Sequence, residues 1–195
     1  GSWCIPWIKS SWCATLGILV GGLHEMLQDP NNVQFVFVSH NTVPLKSFNY
    51  IYHDLVELSP NTSKVCLASA ADYVRALDHY VKTAFFWHGC VFRDYYHRYD
   101  SKVWKHHEWM VVSREHAAII VKRSVPSLQI YFNAWRQAAP DWPLGEGCSD
   151  EATPLVSLLE EQEAAGRSKR ERERETDFWD NLKRAGVEEK CLTFT

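Results

Sequence analysis

Apolar positions from Thr15 to Gln28 predict a helix, which the breaker-rich turn Asp29-Pro30-Asn31-Asn32 ends. Gln34 to Ser39 follows as a nearly continuous apolar run, the pattern of a strand buried on both faces of a parallel sheet. The turn from His40 to Leu45 then leaves the carboxyl end of that strand, where open α/β sheets place their ligands, and Ser47 is positioned to cap a helix running to about Leu58. Lys64 to Ala68 reads as a second strand and Ala71 to Phe86 as a helix. Trp87 to Trp104 is an aromatic, His-rich loop containing Arg93-Asp94-Tyr95-Tyr96-His97-Arg98-Tyr99 and suited to lining a cleft.

The clearest local signal is Trp109 to Val121. Trp109 to Val112 is a short, partly β-branched apolar run. Ser113 can offer its hydroxyl to the free N–H groups of a helix starting at Arg114, with Glu115 favoured in the first turn by the helix dipole. Pro126 to Ala138 predicts a further helix. Pro140, Pro143, Gly145 and Gly147 then form a loop delivering the chain to Cys148-Ser149-Asp150-Glu151, and Pro154 suits the first turn of a new helix. From Ala164 to Ala185 charges of opposite sign recur three residues apart, as in Arg170/Glu173 and Glu171/Arg174, the pattern of a solvated helical face inserted in the domain. Gly186 ends that helix, and Cys191 to Thr195 begins another β-rich run. The alternation of helices and strands predicts an α/β fold.

With 195 residues and 46% hydrophobic content, the chain suits one core and a single domain, 1–195, with the charged helical insertion at 164–185 inside it. A net charge of −3, with basic and acidic residues mixed, gives no footprint for nucleic acid. Nine Trp residues offer flat faces for sugars or bases but serve a core equally well. The six dispersed cysteines contain no Cys-x-x-Cys pair and fit either disulfides or buried thiols. Asn61-Thr62-Ser63 is an N-glycosylation sequon, which leans toward a secretory lumen. The run from Thr15 to Leu27 is interrupted by Gly17, Gly21, Gly22, His24 and Glu25, so it reads neither as a membrane span nor as a signal peptide. Any anchor is expected outside this chain.

No Walker-type phosphate loop, dinucleotide fingerprint or Gly-x-Ser-x-Gly elbow occurs. His24-Glu25 and His107-Glu108 each lack the second histidine of a zinc protease, and His106 and His107 point to opposite faces of an extended strand, so no metal site is expected. Asp150-Glu151 stands apart because two carboxylates sit where a Gly/Pro-rich loop enters a helix. One of them could accept a proton from a substrate hydroxyl, although acids at a helix start are favoured by the dipole whatever their function.

Three blocks, in order, resemble the core-2/I-branching glycosyltransferases, the β-1,6-N-acetylglucosaminyltransferase family. The first is Asp29-Pro30-Asn31-Asn32 with the apolar strand to Ser39 and then Val43-Pro44-Leu45. The second is Trp109 to Val112 with Ser113-Arg114-Glu115-His116, and the third is Cys148-Ser149-Asp150-Glu151. Cys191 to Thr195 looks like the strand that follows the last block in that family.

The resemblance implies a GT-A-like nucleotide-sugar transferase fold, incomplete at both ends, and a Golgi-lumenal enzyme held by an anchor outside this chain. It implies inverting transfer of a sugar, with N-acetylglucosamine as the expected sugar and UDP-N-acetylglucosamine as co-substrate, to a hydroxyl of a glycan or glycoprotein. Glu151 would be the catalytic base, with Asp150 orienting its loop and Arg98, Glu108 and Trp109 near the acceptor. No resident cofactor is implied. The sequence has no Asp-x-Asp, and Glu175-Thr176-Asp177, the nearest substitute, falls in the charged insertion, so a metal-independent mechanism is expected. Two departures stand out: Ala152-Thr153-Pro154 replaces the aromatic or His that family members usually carry after Asp-Glu, and the family's donor-binding strands have no counterpart before Trp12. The alternative is therefore a non-catalytic carbohydrate-binding or interaction module on a degenerate transferase scaffold.

Overall fold

Leu16, Leu19 and Leu23 fall on one side of a helical turn pattern, and helix α1, Leu16–Met26, buries all three. The computed structural model describes residues 15–38, 42–68, 105–138, 152–164 and 183–189. After α1 the Asp29 carboxylate accepts the Asn31 N–H at 2.9 Å, and the Asn32 side-chain amide donates to the Met26 carbonyl at 2.9 Å. Both bonds turn the chain out of the helix, as Asx side chains do.

Strand β1, Gln34–Val36, comes next. It is shorter than the expected strand from Gln34 to Ser39, and it is not buried on both faces among parallel neighbours. Among the described strands it lies at one end of the sheet and pairs antiparallel with β3, Lys105–Ser113, in the register Phe35↔Val112. Phe35 is buried, whereas Val36 and Val38 are exposed by 46% and 49%. The apolar run predicts burial on both faces, whereas only the face that carries Phe35 is covered along β1.

Ser47 caps α2, Phe48–Tyr52, accepting the Tyr50 N–H at 3.3 Å, and a π-turn at His53–Glu57 carries the chain to Leu58 as the sequence predicts. Strand β2, Ser63–Ala68, pairs antiparallel with β3 and parallel with β4, Val187–Glu189. The four strands lie in the order β1-β3-β2-β4. Gly186 precedes β4 with φ +83°, and its N–H donates to the Lys183 carbonyl at 2.9 Å, the left-handed helix ending expected of it.

Helix α3, Arg114–Ala138, is a single helix that runs through Pro126, not two helices divided before it. Val125 and Pro126 are exposed, so water can take the place of the donor that proline lacks, while Ser124 and Ser127 on either side of the proline are buried. Helix α4, Thr153–Ala164, starts with Pro154 in its first turn as predicted and packs Leu155 and Leu158 into the same core as Ala117 and Ile120 of α3. Glu161 fastens the two helices, accepting from Lys122 Nζ at 2.6 Å and from Arg123 Nε. These two bonds, Lys122 first, hold the Glu161 carboxyl below its usual value.

Phe35, Val65, Met110 and Val112 face those helices from the sheet. Burying each such side chain contributes about 1.5–3 kcal/mol, so this layer of helix on sheet dominates the stability of the described part. On the other face Lys64, paired with Val111 in register, is only 1% exposed, and its ammonium meets Asp54 Oδ2 at 2.7 Å. This mixed helix-and-strand arrangement agrees with the α/β expectation. The stretches from Ala71 to Trp104 and from Pro140 to Glu151, most of 164–185 and Cys191 to Thr195 lie outside the described residues.

Candidate active site

β1 and β2 both run toward the edge at which β3 begins. Leu67 pairs with His106 and Ala68 with Lys105, and the Phe37 N–H, just past β1, donates to the Met110 carbonyl at 2.9 Å. The first half of β3 therefore lies where two neighbouring strands end, and a bulge between Val65 and Leu67 shifts the pairing there. Glu108 and Trp109 occupy that half. Trp109 precedes buried Met110 within that irregular stretch and is itself half-buried. A partly exposed indole at a strand-end edge can wall a cleft and stack on the apolar face of a sugar ring. The side chain of Glu108 lies outside the described part, as do Arg98, Asp150 and Glu151 as whole residues.

The described chain resumes one position after Glu151. Ala152 and Thr153 are both 0% exposed, so the first turn of α4 is built into the core. Ala152 and Thr153 stand where family members are expected to carry an aromatic or His after Asp-Glu, and their burial withdraws both from contact with an acceptor.

A second constellation contains the residue types of nucleophilic catalysis. Ser63 Oγ lies 2.7 Å from His116 Nδ1, and His116 Nε2 lies 2.8 Å from the Ala185 carbonyl. A carbonyl only accepts, so Nε2 carries the proton and donates to it, leaving Nδ1 to accept the Ser63 hydroxyl. Ser63 Oγ in turn accepts the Ser113 N–H at 2.9 Å, and Ser113 Oγ accepts the His116 N–H at 3.4 Å, the predicted helix cap. Ser63 is 1% and His116 4% exposed. Burial lowers the His116 pKa, against the smaller opposing effects of the Ala185 hydrogen bond and the Glu115 charge, and keeps the imidazole neutral. A hydroxyl so enclosed is out of reach of a substrate. The group is a fastening between β2, β3, α3 and the turn before β4.

Arg114 supplies another fastening. Its Nη1 donates to the carbonyls of Asp29 at 2.8 Å and Asn32 at 2.9 Å, its Nη2 donates to Leu27 at 2.7 Å, and its backbone N–H donates to Val33 at 2.9 Å. One guanidinium thus takes up carbonyls left over at the end of α1 and in the turn beyond it. The first two sequence blocks, Asp29 to Ser39 and Trp109 to His116, are bound to each other through this side chain. Sequence reasoning found both blocks but missed their link and the Ser63–His116 bond, because the partners lie 82 to 87 and 53 residues apart. Among the described residues, no three His, Cys, Asp or Glu side chains cluster as metal ligands, and no helix is long and apolar enough to cross a membrane.

A sequence profile of Core-2/I-branching enzymes matches residues 21–145, more than half of the chain. The chain belongs to the Core-2/I-branching enzyme family. That family is one of glycosyltransferases, and the match takes in the three strands β1 to β3, the Arg114 clasp and all of α3. It stops short of Asp150 and Glu151. Neither the curated proteins nor the solved structures contain a match to this Core-2/I-branching chain.

Proposed function

We propose that this chain is part of an inverting, metal-independent glycosyltransferase of GT-A-like fold. It would move a sugar, N-acetylglucosamine in the first instance, from a nucleotide-sugar donor such as UDP-N-acetylglucosamine to a hydroxyl of a glycan or glycoprotein. Family membership across residues 21–145 is the observation that carries this reading. In the proposed step the acceptor oxygen attacks C1 of the donor sugar as the C1–O bond to the diphosphate breaks. The nucleotide diphosphate leaves, and the hydroxyl proton passes to Glu151. The buried first turn of α4 supports this role by fixing the backbone beside Glu151, which a general base needs for alignment. Asp150 would orient the same loop, Trp109 would wall the acceptor side from the edge of β3, and Glu108 and Arg98 are proposed acceptor contacts. With no Asp-x-Asp in the sequence, the diphosphate charge would be met by Lys or Arg.

The site of action we assign is the Golgi lumen, with the membrane anchor lying outside this chain. Cys66 is disulfide-bonded, as befits an oxidising lumen.

Glu151→Gln in the full-length protein, assayed with a panel of nucleotide sugars and glycan acceptors, is expected to lower the transfer rate about 100-fold or more while thermal unfolding stays unchanged. Near-normal transfer by a normally folded variant would remove Glu151 from the role of base. The burial of Ala152 and Thr153 favours a second reading, a glycan-binding module without turnover, because two positions beside the carboxylate are withdrawn from acceptor contact. Titration with donors and acceptors separates the two: acceptor binding without donor binding supports the module, and donor binding with transfer excludes it.

A further inference from the structure

Asn61-Thr62-Ser63 is the one Asn-x-Ser/Thr triplet with a non-proline middle residue in the sequence. The fold treats its two ends in opposite ways. Asn61 is exposed on the turn between the π-turn and β2, and its side chain forms no hydrogen bond among the described residues. The turn beneath it is rigid: the Thr62 N–H donates to the Ser59 carbonyl at 3.1 Å, and Gln34 Nε2 donates to the carbonyls of Ser59, Pro60 and Thr62. Ser63, by contrast, is 1% exposed, with its hydroxyl committed to His116 and to the Ser113 N–H.

We propose that Asn61 carries an N-linked glycan, attached while the chain is still unfolded. The proposal rests on the lumenal reading given above. A sequon is recognised through the hydroxyl two residues after the asparagine, and in the folded protein that hydroxyl is enclosed. Its partners Ser113 and His116 follow 50 and 53 residues later in the chain. β2 pairs only with β3 and β4 among the described strands, so at emergence from the ribosome residues 61–63 have none of the partners that later bury Ser63. The sequon is therefore open first and closed by folding. In the transfer, the Asn61 side-chain nitrogen bonds to C1 of a lipid-diphosphate-linked oligosaccharide. The C1–O bond breaks, the lipid diphosphate departs, and the amide gives up one proton to a base of the transferring enzyme. The finished glycan projects from an exposed, well-supported turn and disturbs no packing.

The full-length protein, expressed through the secretory pathway of a glycosylating eukaryotic cell with a reporter sequon on a carboxyl-terminal tag, tests this. Peptide N-glycosidase treatment is expected to release a glycan and convert Asn61 to Asp in the corresponding peptide. Asn61→Gln should abolish that signal and leave thermal unfolding unchanged. Ser63→Thr should keep the glycan. Folded, unmodified protein offered to the transferring enzyme in microsomes should remain unmodified, whereas denatured protein should accept the sugar. A glycosylated reporter with a bare Asn61 overturns the proposal and leaves the lumenal reading standing. If the reporter is bare as well, both fall. Equal modification of folded and denatured protein overturns the timing.

Discussion

His116 shows what one side chain decides. Its neutral ring accepts from Ser63 and donates to Ala185, and burial lowers its pKa in the folded state. An unfolded chain binds the proton more readily, with the ordinary histidine value near 6.5. The stabilisation is accordingly complete above about pH 6.5 and is lost as pH falls from there through the lower folded value. Urea unfolding at about pH 7.5 and about pH 5.5 should show lower stability at the acid end, with a shallower dependence in His116→Gln; an equal slope in both proteins would refute the assignment. Lys64 and Asp54 obey a different rule. Removing the carboxylate leaves a buried ammonium short of an ion-pair partner, whereas an apolar chain of similar length fills the Lys64 site without charge. Asp54→Ala should therefore destabilise more than Lys64→Met, by about 1 kcal/mol or more after allowing for the partial exposure of Asp54.

At the level of elements, legibility followed the range of the physics. Caps and breakers act over three or four residues, so Ser47, Ser113, Pro154 and Gly186 were all readable in advance, and each sits where the pattern put it. Strand neighbours act across long loops. The apolar run at Gln34 therefore reads as a central parallel strand although it forms a short antiparallel strand at one end of the described sheet, and Pro126 reads as a boundary although α3 continues through it with the proline exposed to water. The turn before β4 offers a direct measurement. Gly186 holds φ +83°, and a Cβ there would stand 3.2 Å from the Asn61 carbonyl oxygen. Gly186→Ala should cost about 1–2 kcal/mol from the backbone conformation alone, and more if the Ser63 N–H to Gly186 bond at 2.9 Å loosens. Chemical denaturation would read that loss, and an unchanged midpoint would mean that the turn adapts freely.

For the whole molecule, the family could be recognised from the sequence, and the described scaffold explains why. The candidate chemistry was legible only as residue types: Trp109 and Glu108 fall together on β3, whereas Asp150, Glu151 and Arg98 are placed by sequence alone. The Cys66 disulfide links β2 to a cysteine outside the described residues, since all five other cysteines lie there. Its reduction is expected to lower stability by about 2–4 kcal/mol, measured as a drop in unfolding midpoint when a thiol reductant is added; a midpoint indifferent to the reductant would show that the bond adds nothing.

Arg114 bears on how such a chain is inherited. The Ser113-Arg114 junction, inside the stretch that matches the family, holds the end of α1 to the start of α3, and every partner of the Arg114 guanidinium is a backbone carbonyl. A descendant that lost its catalytic base would still need that grip in order to fold. The signature and the activity can consequently part company: the first reports shared ancestry and architecture, and only a turnover measurement reports the second.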